Sequence, residues 1–274
     1  MSDAYAVIGN PITHSKSPLI HAEFSKQTKQ DMHYEALFAP LNGFTEAIKL
    51  FQQNDGKGMN VTIPFKSHAY KISTQLTEQA EAAQAVNTLV FNGNEIHGHN
   101  TDGTGLIRDI ITNHGFTITS KRILLCGAGG AASGIILPLL KQKPSELVIS
   151  NRTLQKAYKL QTQFSSYNNI IVSDNNMDIC EKEFDLVINA TSTSLIGKPL
   201  LLPQGIFATG SLAYDLMYGN EQTPFLQFSQ KEGAGYLSDG AGMLVEQAAE
   251  SFFLWRGIRP KTKELIKMLR ENKL

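Results

Sequence analysis

The glycine-rich run Gly127-Ala128-Gly129-Gly130-Ala131-Ala132 constrains the fold of this 274-residue chain more than any other segment. An apolar, strand-like run at residues 122–126 precedes it, and an apolar helical pattern follows it. A loop of the form G-x-G-x-x-G/A between a strand and a helix is typical of pyrophosphate-binding turns, with Ala132 in the third position here. Glycine leaves room for phosphates, and the helix N-terminus offers free N–H groups. The run therefore predicts a dinucleotide site; the alternative is a tight turn without a ligand.

The residues after this loop continue an alternation of strands and helices. Strand-like runs recur at residues 147–150, 170–173, 186–189 and 213–216, with helical stretches between most of them. Such an alternation is typical of a parallel sheet covered by helices, as in a Rossmann-like domain.

The residues after the second of these strands indicate which dinucleotide binds. An NAD enzyme presents an acidic residue to the ribose hydroxyls there, but this chain reads Ile149-Ser150-Asn151-Arg152-Thr153 and then Lys156. Arg152 and Lys156 can pair with a 2′-phosphate, the arginine through its planar fork. We therefore expect NADP; the alternative is a solvated basic helix start.

The N-terminal part has an α/β pattern of its own. Strands are predicted at residues 5–8, 33–38 and 59–63, with helices led by Pro18 and by Phe44 between them. A hairpin with strands 87–91 and 95–99 is expected around Asn92-Gly93. A helix should begin near Asp102, with an apolar face made by Leu106, Ile107, Ile110 and Ile111.

These patterns predict an α/β protein of two domains, which is also what its length favours. We expect a mostly parallel α/β domain for substrate binding and catalysis at residues 1–102 and a Rossmann-like domain at 103–239. The last segment, 240–274, contains an apolar stretch at 243–255 and a helix led by Pro260. We expect these last helices to return to the first domain.

Charge and cysteine content restrict partners and location. The 25 basic and 25 acidic residues cancel, which argues against a nucleic-acid partner or an acidic membrane surface. No apolar run reaches the roughly 18 residues of a spanning helix, and no basic segment precedes an apolar leader, so we predict a cytoplasmic protein. Cys126 and Cys180 lack a metal-like or redox-like spacing, and Cys126 is expected to be a small buried hydrophobe.

Several polar residues of the first domain are candidates for a site. Ser15 and Ser17 would face one way on an extended segment and suit a carboxylate, although capping of the helix led by Pro18 explains Ser17 equally well. Lys66 follows a strand and a proline turn, yet most lysines are solvated surface residues. His97 and His99 lie on one strand face, but a pair without further ligands does not make a metal site, and no metal is assigned.

Taken together, the motifs resemble the shikimate dehydrogenase family, from Gly9 nearly to the C-terminal helix. The landmarks are Gly9-Asn10-Pro11-Ile12-Thr13-His14-Ser15-Lys16-Ser17-Pro18, Asn60-Val61-Thr62-Ile63-Pro64-Phe65-Lys66, Ala85-Val86-Asn87-Thr88, Asn100-Thr101-Asp102-Gly103, the loop 127–131, Asn151-Arg152-Thr153, Asn189-Ala190-Thr191 and residues 240–247.

The resemblance implies NADPH-dependent, reversible reduction of 3-dehydroshikimate to shikimate, a step of chorismate and aromatic amino-acid biosynthesis, in a cleft between the two domains. It implies that Lys66 and Asp102 form the catalytic pair. The substrate contacts that it implies are Ser15 and Ser17 for the carboxylate, and Thr62, Lys66, Asn87, Asp102, Tyr218 and Gln247 for the ring.

The resemblance also implies the cofactor contacts and a link between the domains. The implied NADP contacts are Gly127, Ala128, Gly129, Gly130, Ala131, Asn151, Arg152, Thr153, Lys156, Leu216, Gly240 and Met243, with Glu78 a weaker candidate. Met243 and Gln247 would bridge the domains. Thr193-Ser194-Leu195 departs from the smaller residues expected there and could alter the loop on the cofactor side.

Three other functions compete with this interpretation. A quinate/shikimate dehydrogenase that accepts NAD is the nearest, and Asn151-Arg152-Thr153 argues against NAD. A nonenzymatic NADP-responsive regulator would not need both Lys66 and Asp102. Reduction of a folate or another cyclic substrate leaves Ser15 and Ser17 beside Asn87 unexplained. Both a monomer and a homodimer agree with the sequence.

Overall fold

The computed structural model describes residues 2–167, 169–173, 183–193, 200, 202–271 and 273. The chain divides into two compact units. The first unit joins Met1–Gly105 to Leu244–Leu274, and the second is Leu106–Met243. Each unit has its own six-stranded sheet, and within the described residues no helix is long and apolar enough to cross a membrane.

The first unit is built on a mixed sheet. Its strands are β1 (Asp3–Gly9), β2 (Met32–Phe38), β3 (Gly56–Val61), β4 (Gln75–Leu76), β5 (Thr88–Asn92) and β6 (Glu95–His99). Its helices are α1 (Ser17–Thr28), α2 (Phe44–Gln53), α3 (Lys66–Ile72), α4 (Glu78–Ala83) and α10 (Lys263–Arg270). Two more helices cross the unit boundaries, α5 (Asp102–Arg108) and α9 (Ala241–Arg256).

The strand order β2-β1-β3-β5-β6-β4 places β1 between the edge strand β2 and β3. β1 pairs in parallel with β2 and β3, whereas β5 is antiparallel to both β3 and β6. Two antiparallel pairings in succession make β6 run in the same direction as β3. The carboxyl ends of β1, β3 and β6 therefore share one edge with the beginning of β5.

β1 is buried on both faces, as expected for an interior strand covered on both sides. Ala6 and Ile8 pack into one core with Met59, and Tyr5 and Val7 pack into another core. The strand ends at a crowded position, because a Cβ added at Gly9 would lie 2.5 Å from Cγ2 of Thr62 and 3.2 Å from the Ile63 carbonyl oxygen.

The second unit is built on a parallel sheet. Its strands are β7 (Arg122–Cys126), β8 (Glu146–Ser150), β9 (Ile170–Ser173), β10 (Phe184–Asn189), β11 (Phe207–Asp215) and β12 (Tyr236–Ser238). Its helices are α6 (Gly130–Lys141), α7 (Leu154–Gln163) and α8 (Pro224–Lys231). The order is β12-β11-β10-β7-β8-β9, and all five pairings are parallel. The register places the last residues of neighbouring strands, Cys126, Ser150, Ser173, Asn189 and Asp215, in one row.

The α/β class with one parallel-rich sheet and one Rossmann-like sheet is confirmed, while three local predictions were wrong in detail. β3 ends at Val61, before Ile63. The hairpin turn is Gly93-Asn94, because Asn92 pairs with Glu95. Gly93 has φ +58° in the first central position, which favours glycine.

The helix that begins at Asp102 also differs from its predicted pattern. After Arg108 it continues as a π-helical turn over Asp109–Asn113. Ile111, predicted on the apolar face, lies within this turn and is 40% exposed, whereas Asp109 at its start is fully buried. An apolar periodicity of 3.6 residues does not reveal such a turn.

Candidate active site

Lys66 and Asp102 form an ion pair at the shared edge of the first sheet. Lys66 begins α3 after β3, and Asp102 begins α5 after β6. Their side chains meet with 2.5 Å between Nζ and Oδ2. The Lys66 side chain is 24% exposed and that of Asp102 is 10% exposed. The ammonium group is therefore held by a carboxylate but still reaches solvent.

Asn87, just before β5, joins this pair from the middle strand of the same edge. Its Nδ2 donates to Oδ1 of Asp102 at 2.8 Å. Its Oδ1 accepts the Thr101 backbone N–H at 2.8 Å. Because a backbone N–H can only donate, this bond fixes which end of the amide faces Asp102. Both Asp102 oxygens thus accept hydrogen bonds, one from Lys66 and one from Asn87.

A buried network of hydrogen bonds holds Asn87 in place. The Asn60 amide on β3 donates to the Asn87 carbonyl at 3.2 Å and to Oγ of Ser251 at 3.0 Å. The Thr88 hydroxyl lies 2.8 Å from that of Ser251, and Tyr34 donates to Oδ1 of Asn60 at 2.7 Å. Satisfied buried networks of this kind hold side chains in one arrangement.

Gln247 lies beside the same group. Oε1 of Gln247, on α9, is 3.3 Å from the Thr101 hydroxyl and 3.4 Å from Nδ2 of Asn87. Thr62 directly follows β3, where its backbone N–H donates to the Ile8 carbonyl at 3.0 Å. The first unit thus brings together Lys66, Asp102, Asn87 and Gln247.

Ser15 and Ser17 follow β1 at this edge, although their segment is not an extended strand. The Ser15 N–H donates to the Ile12 carbonyl at 3.0 Å in a turn. Ser17 is the first residue of α1 and does not cap it, since Lys16 holds the N-cap position without a side-chain cap. Instead, Oγ of Ser15 accepts the Ser17 N–H at 3.3 Å. The capping explanation for Ser17 was therefore wrong.

Tyr218 is separated in the chain from the other implied substrate residues, because it follows β11 in the second unit. Burial raises the pKa of its phenol. Conversely Glu78, a candidate for the cofactor, begins α4 in the first unit, whereas the other implied cofactor residues belong to the second.

The glycine loop joins β7 to α6 as the sequence predicts. Gly127 has φ +115°, and a Cβ there would lie 2.9 Å from the Ala190 carbonyl oxygen, so glycine is required for close packing. At Gly129 and Gly130 a Cβ would meet no atom within 4 Å. These two glycines keep open a space above the α6 N-terminus, where Gly129 takes the N-cap position without a side-chain cap. That space fits a pyrophosphate.

Residues 151–156 follow β8 next to this loop. Nδ2 of Asn151 donates to the Thr153 carbonyl at 2.8 Å and closes a short turn. Arg152 in the turn and Lys156 in the first turn of α7 are exposed. Among the described residues, neither is in an ion pair. Both cations are thus available to an anion.

Leu216 and Gly240 meet where β11 ends. A Cβ on Gly240 would lie 2.2 Å from the Leu216 carbonyl oxygen, and the Gly240 N–H donates to the Met217 carbonyl at 3.0 Å. Met243 lies in the first turn of α9 and is 9% exposed.

Sequence reasoning missed the polar residues that support these groups. Asn60, Thr88 and Thr101 stand inside the motifs but were not singled out, and Ser251 lies in a stretch interpreted only as apolar. Asp109 and Tyr214 were missed as well. An acidic residue on an apolar helix face was the available signal for Asp109.

Cys126 is 2% exposed, and burial raises the pKa of its thiol to about 12, which confirms the prediction of a buried small hydrophobe. Within the described residues no group of three metal-ligating side chains occurs, and His97 pairs with Glu95 at 2.8 Å. Cys180, Ser194 and Leu195 lie outside the described residues.

Comparison with known proteins places this geometry in context. Three family profiles match: shikimate dehydrogenase substrate binding domain over residues 7–89, shikimate / quinate 5-dehydrogenase over 110–198, and shikimate 5′-dehydrogenase C-terminal domain over 240–269. Shikimate dehydrogenase (NADP(+)) of Nitrosospira multiformis is 60% identical to this chain, over 99% of this chain and 98% of the relative.

Solved structures show the same similarity. An Ael1 enzyme from Pseudomonas putida has a TM-score of 0.93 and 44% identity, over 98% of both chains. Shikimate 5-dehydrogenase from Thermus thermophilus, crystallised with NADP(H) and shikimate, has a TM-score of 0.87 and 28% identity, over 98% of this chain and 99% of that one.

Proposed function

Because this chain belongs to the shikimate dehydrogenase family, we propose that its Lys66–Asp102 pair catalyses the reaction of that family. The protein is an NADP-dependent oxidoreductase that acts on a CH–OH group and interconverts 3-dehydroshikimate and shikimate. The observation that carries the residue assignment is the contact of 2.5 Å between Lys66 and Asp102, with Asn87 on the second oxygen of Asp102.

Lys66 is the acid of this reaction. When bound, NADPH supplies a hydride to the ring carbonyl carbon, and negative charge then develops on the carbonyl oxygen. An ammonium group beside that oxygen stabilises the charge and can release a proton to it. Asp102 accepts hydrogen bonds on both oxygens, so it serves as the ionised partner that orients Lys66. Solvent access to Lys66 provides a route for its reprotonation.

The hydroxyl and amide groups around the pair recognise the substrate. Ser15 and Ser17 hold its carboxylate, because hydroxyl donors suit a small anion next to a helix start. Thr62, Asn87 and Gln247 hold the ring hydroxyls from the first unit, and Tyr218 contributes a neutral phenol from the second. The first unit is thus the substrate-binding domain, together with the segment from Leu244 onward.

The second unit binds NADP. Gly127, Ala128, Gly129, Gly130 and Ala131 hold the pyrophosphate at the start of α6, because the two open glycines leave space there. Asn151, Arg152, Thr153 and Lys156 hold the 2′-phosphate through the two unpaired cations. Leu216, Gly240 and Met243 contact the nicotinamide half. Glu78 is a weaker contact, since it belongs to the other unit.

The balanced charge of the chain supports a small-molecule enzyme that does not bind nucleic acid, and we place it in the cytoplasm.

An absorbance assay at the nicotinamide band tests the proposal. Shikimate with NADP should give rapid reduction of the cofactor, whereas quinate or NAD should lower kcat/KM by about tenfold or more, since each loses charge-assisted or shape-specific contacts. Comparable rates with quinate and NAD would favour a quinate/shikimate dehydrogenase. No reduction with any pair would contradict the proposal.

A further inference from the structure

Asp109 is a fully buried carboxylate that the proposed reaction does not use. We propose that Asp109 and Tyr214 are positioning residues for the cofactor, because they fix the first turn of α9 and the loop before it. This inference rests on the proposed function, since it takes Gly240 and Met243 on that loop and turn as NADP contacts.

The carboxylate is held from several directions. Tyr214 on β11 donates to Oδ2 at 2.6 Å. Nδ2 of Asn113, on the π-helical turn, donates to Oδ1 at 2.8 Å. Nε2 of His114 lies 3.6 Å from Oδ2 and 2.8 Å from the hydroxyl of Ser238, which ends β12. A buried carboxylate with this many partners has one arrangement.

This group contacts the start of α9 directly. A Cβ added at Gly242 would lie 2.1 Å from Oδ1 of Asp109, so the carboxylate packs against the glycine backbone. The Met243 backbone partly offsets the rise in the pKa of Tyr214 that burial and Asp109 cause, and the Ala241 N–H donates to Oδ1 of Asp239 at 3.3 Å. Negative charge at a helix N-terminus is also favourable.

The same residues border the implied cofactor contacts. Tyr214 lies two positions before Leu216, and Gly240 packs against the Leu216 carbonyl. Asp109 therefore packs against the end of β11 and the start of α9. Small displacements of such positioning groups have large effects on bound geometry.

Three variants test this inference. Tyr214→Phe removes only the hydroxyl between Asp109 and Met243. Asp109→Ala removes the carboxylate, and Asp109→Asn keeps an acceptor for Tyr214. We expect Tyr214→Phe and Asp109→Ala to raise KM for NADP about tenfold, which corresponds to about 1.4 kcal/mol. KM for shikimate should change less than about twofold. KM for NADP in Asp109→Asn should lie between the values of the wild type and of Asp109→Ala.

Gly242→Ala tests the same contact independently. If the change acted only on the helix, it would stabilise α9 and leave KM for NADP unchanged. Alanine favours a helix more than glycine does, but here its Cβ must displace Asp109. KM for NADP should rise, and the double variant Asp109→Ala/Gly242→Ala should be no worse than the more impaired single variant, because both act through one contact.

Ser229→Ala is the matched control in the same unit. The buried Ser229 hydroxyl donates to the Phe225 carbonyl at 2.8 Å within α8 and makes no hydrogen bond to these residues. It should leave KM for NADP unchanged. Unchanged KM for NADP in Tyr214→Phe and Gly242→Ala, or equal rises for NADP and shikimate, would overturn the inference. If the wild-type protein were inactive with shikimate and NADP, the proposed function would be contradicted. The affinity of the same variants for NADP, measured by fluorescence titration, would then still test the inference.

Discussion

Lys66 and Asp102 are 36 positions apart, and a single ion pair between them joins two segments of the chain. The pair forms because β3 and β6 end at the same edge of the sheet. Its neighbours determine its chemistry, since Asn87 occupies one carboxylate oxygen and Lys66 the other. At the scale of single residues, the candidate site is an ammonium group oriented by a carboxylate.

Removal of the Lys66 ammonium group should lower turnover more than substrate affinity. Lys66→Ala is expected to reduce kcat by about 10²–10⁴, the usual contribution of a positioned acid. Asp102→Asn should impair kcat and KM for shikimate together, because Asp102 contacts Lys66 and is proposed to contact the substrate. Steady-state kinetics on variants of verified fold provide the measurement.

The double variant checks whether the two residues act as one unit. Its loss should be far smaller than the sum of the single losses in free energy. Near-normal kcat in Lys66→Ala at saturating shikimate would remove Lys66 from the mechanism.

Arg152 should determine the choice between NADP and NAD. Arg152→Ala is expected to raise KM for NADP about tenfold or more and to leave KM for NAD nearly unchanged, because only NADP carries the phosphate that a guanidinium binds strongly. Lys143→Ala, at another exposed cation of the second unit, serves as the control. An unchanged NADP/NAD preference in Arg152→Ala would show that the phosphate binds elsewhere.

At the scale of elements, the turn between β7 and α6 combines two different uses of glycine. Gly127 is required by the fold, with φ +115° and a neighbouring carbonyl too close for a side chain. Gly129 has φ −95° and open space around it. The fold alone would accept a side chain there, which agrees with the proposed role of this position in pyrophosphate binding.

Gly129→Ala should therefore separate folding from cofactor binding. We expect a melting temperature within about 2 °C of the wild type, and a KM for NADP raised at least about tenfold, because the methyl group enters the pyrophosphate space. Gly127→Ala, in contrast, should lower the melting temperature. If Gly129→Ala binds NADP normally by fluorescence titration, the pyrophosphate does not lie above α6.

At the scale of the whole molecule, each unit has a core of its own, and the first contains a buried histidine. His21 is fully buried and stacks on Tyr34, with ring centroids 4.1 Å apart. Within the described residues neither ring nitrogen has a hydrogen-bond partner, since the nearby Asn60 amide is used by other groups. Burial lowers the pKa of His21 to about 3.

This histidine should make the first unit sensitive to acid. The unfolded chain binds a proton at His21 below its ordinary pKa of about 6.5, whereas the folded chain does not until about pH 3. Stability is thus complete above pH 6.5 and should fall by about 1.4 kcal/mol per pH unit below it. His21→Phe, which keeps an aromatic ring, should remove this slope.

Urea unfolding at pH 7.0 and 5.0, followed by fluorescence, measures the difference. Trp255 is the sole tryptophan of the sequence and lies 5.4 Å from His21 between ring centroids, so it reports on the first unit. His33→Gln, at an exposed position, is the control. Equal slopes in wild type and His21→Phe would mean that other groups cause the acid sensitivity.

The sequence by itself determined the features that are encoded locally. Neighbouring residues are enough to predict the glycine loop, the basic turn after β8 and the alternation of strands and helices. Three predictions made in this way are confirmed: the Rossmann-like sheet, the NADP cofactor and membership of the shikimate dehydrogenase family. Only the tertiary structure decided which distant residues meet. Ser251 reaches Thr88 across 163 positions, and Asp109 packs against Gly242 at the start of α9. Such contacts depend on strand order, direction and helix register, which a local pattern of apolar and polar residues does not contain.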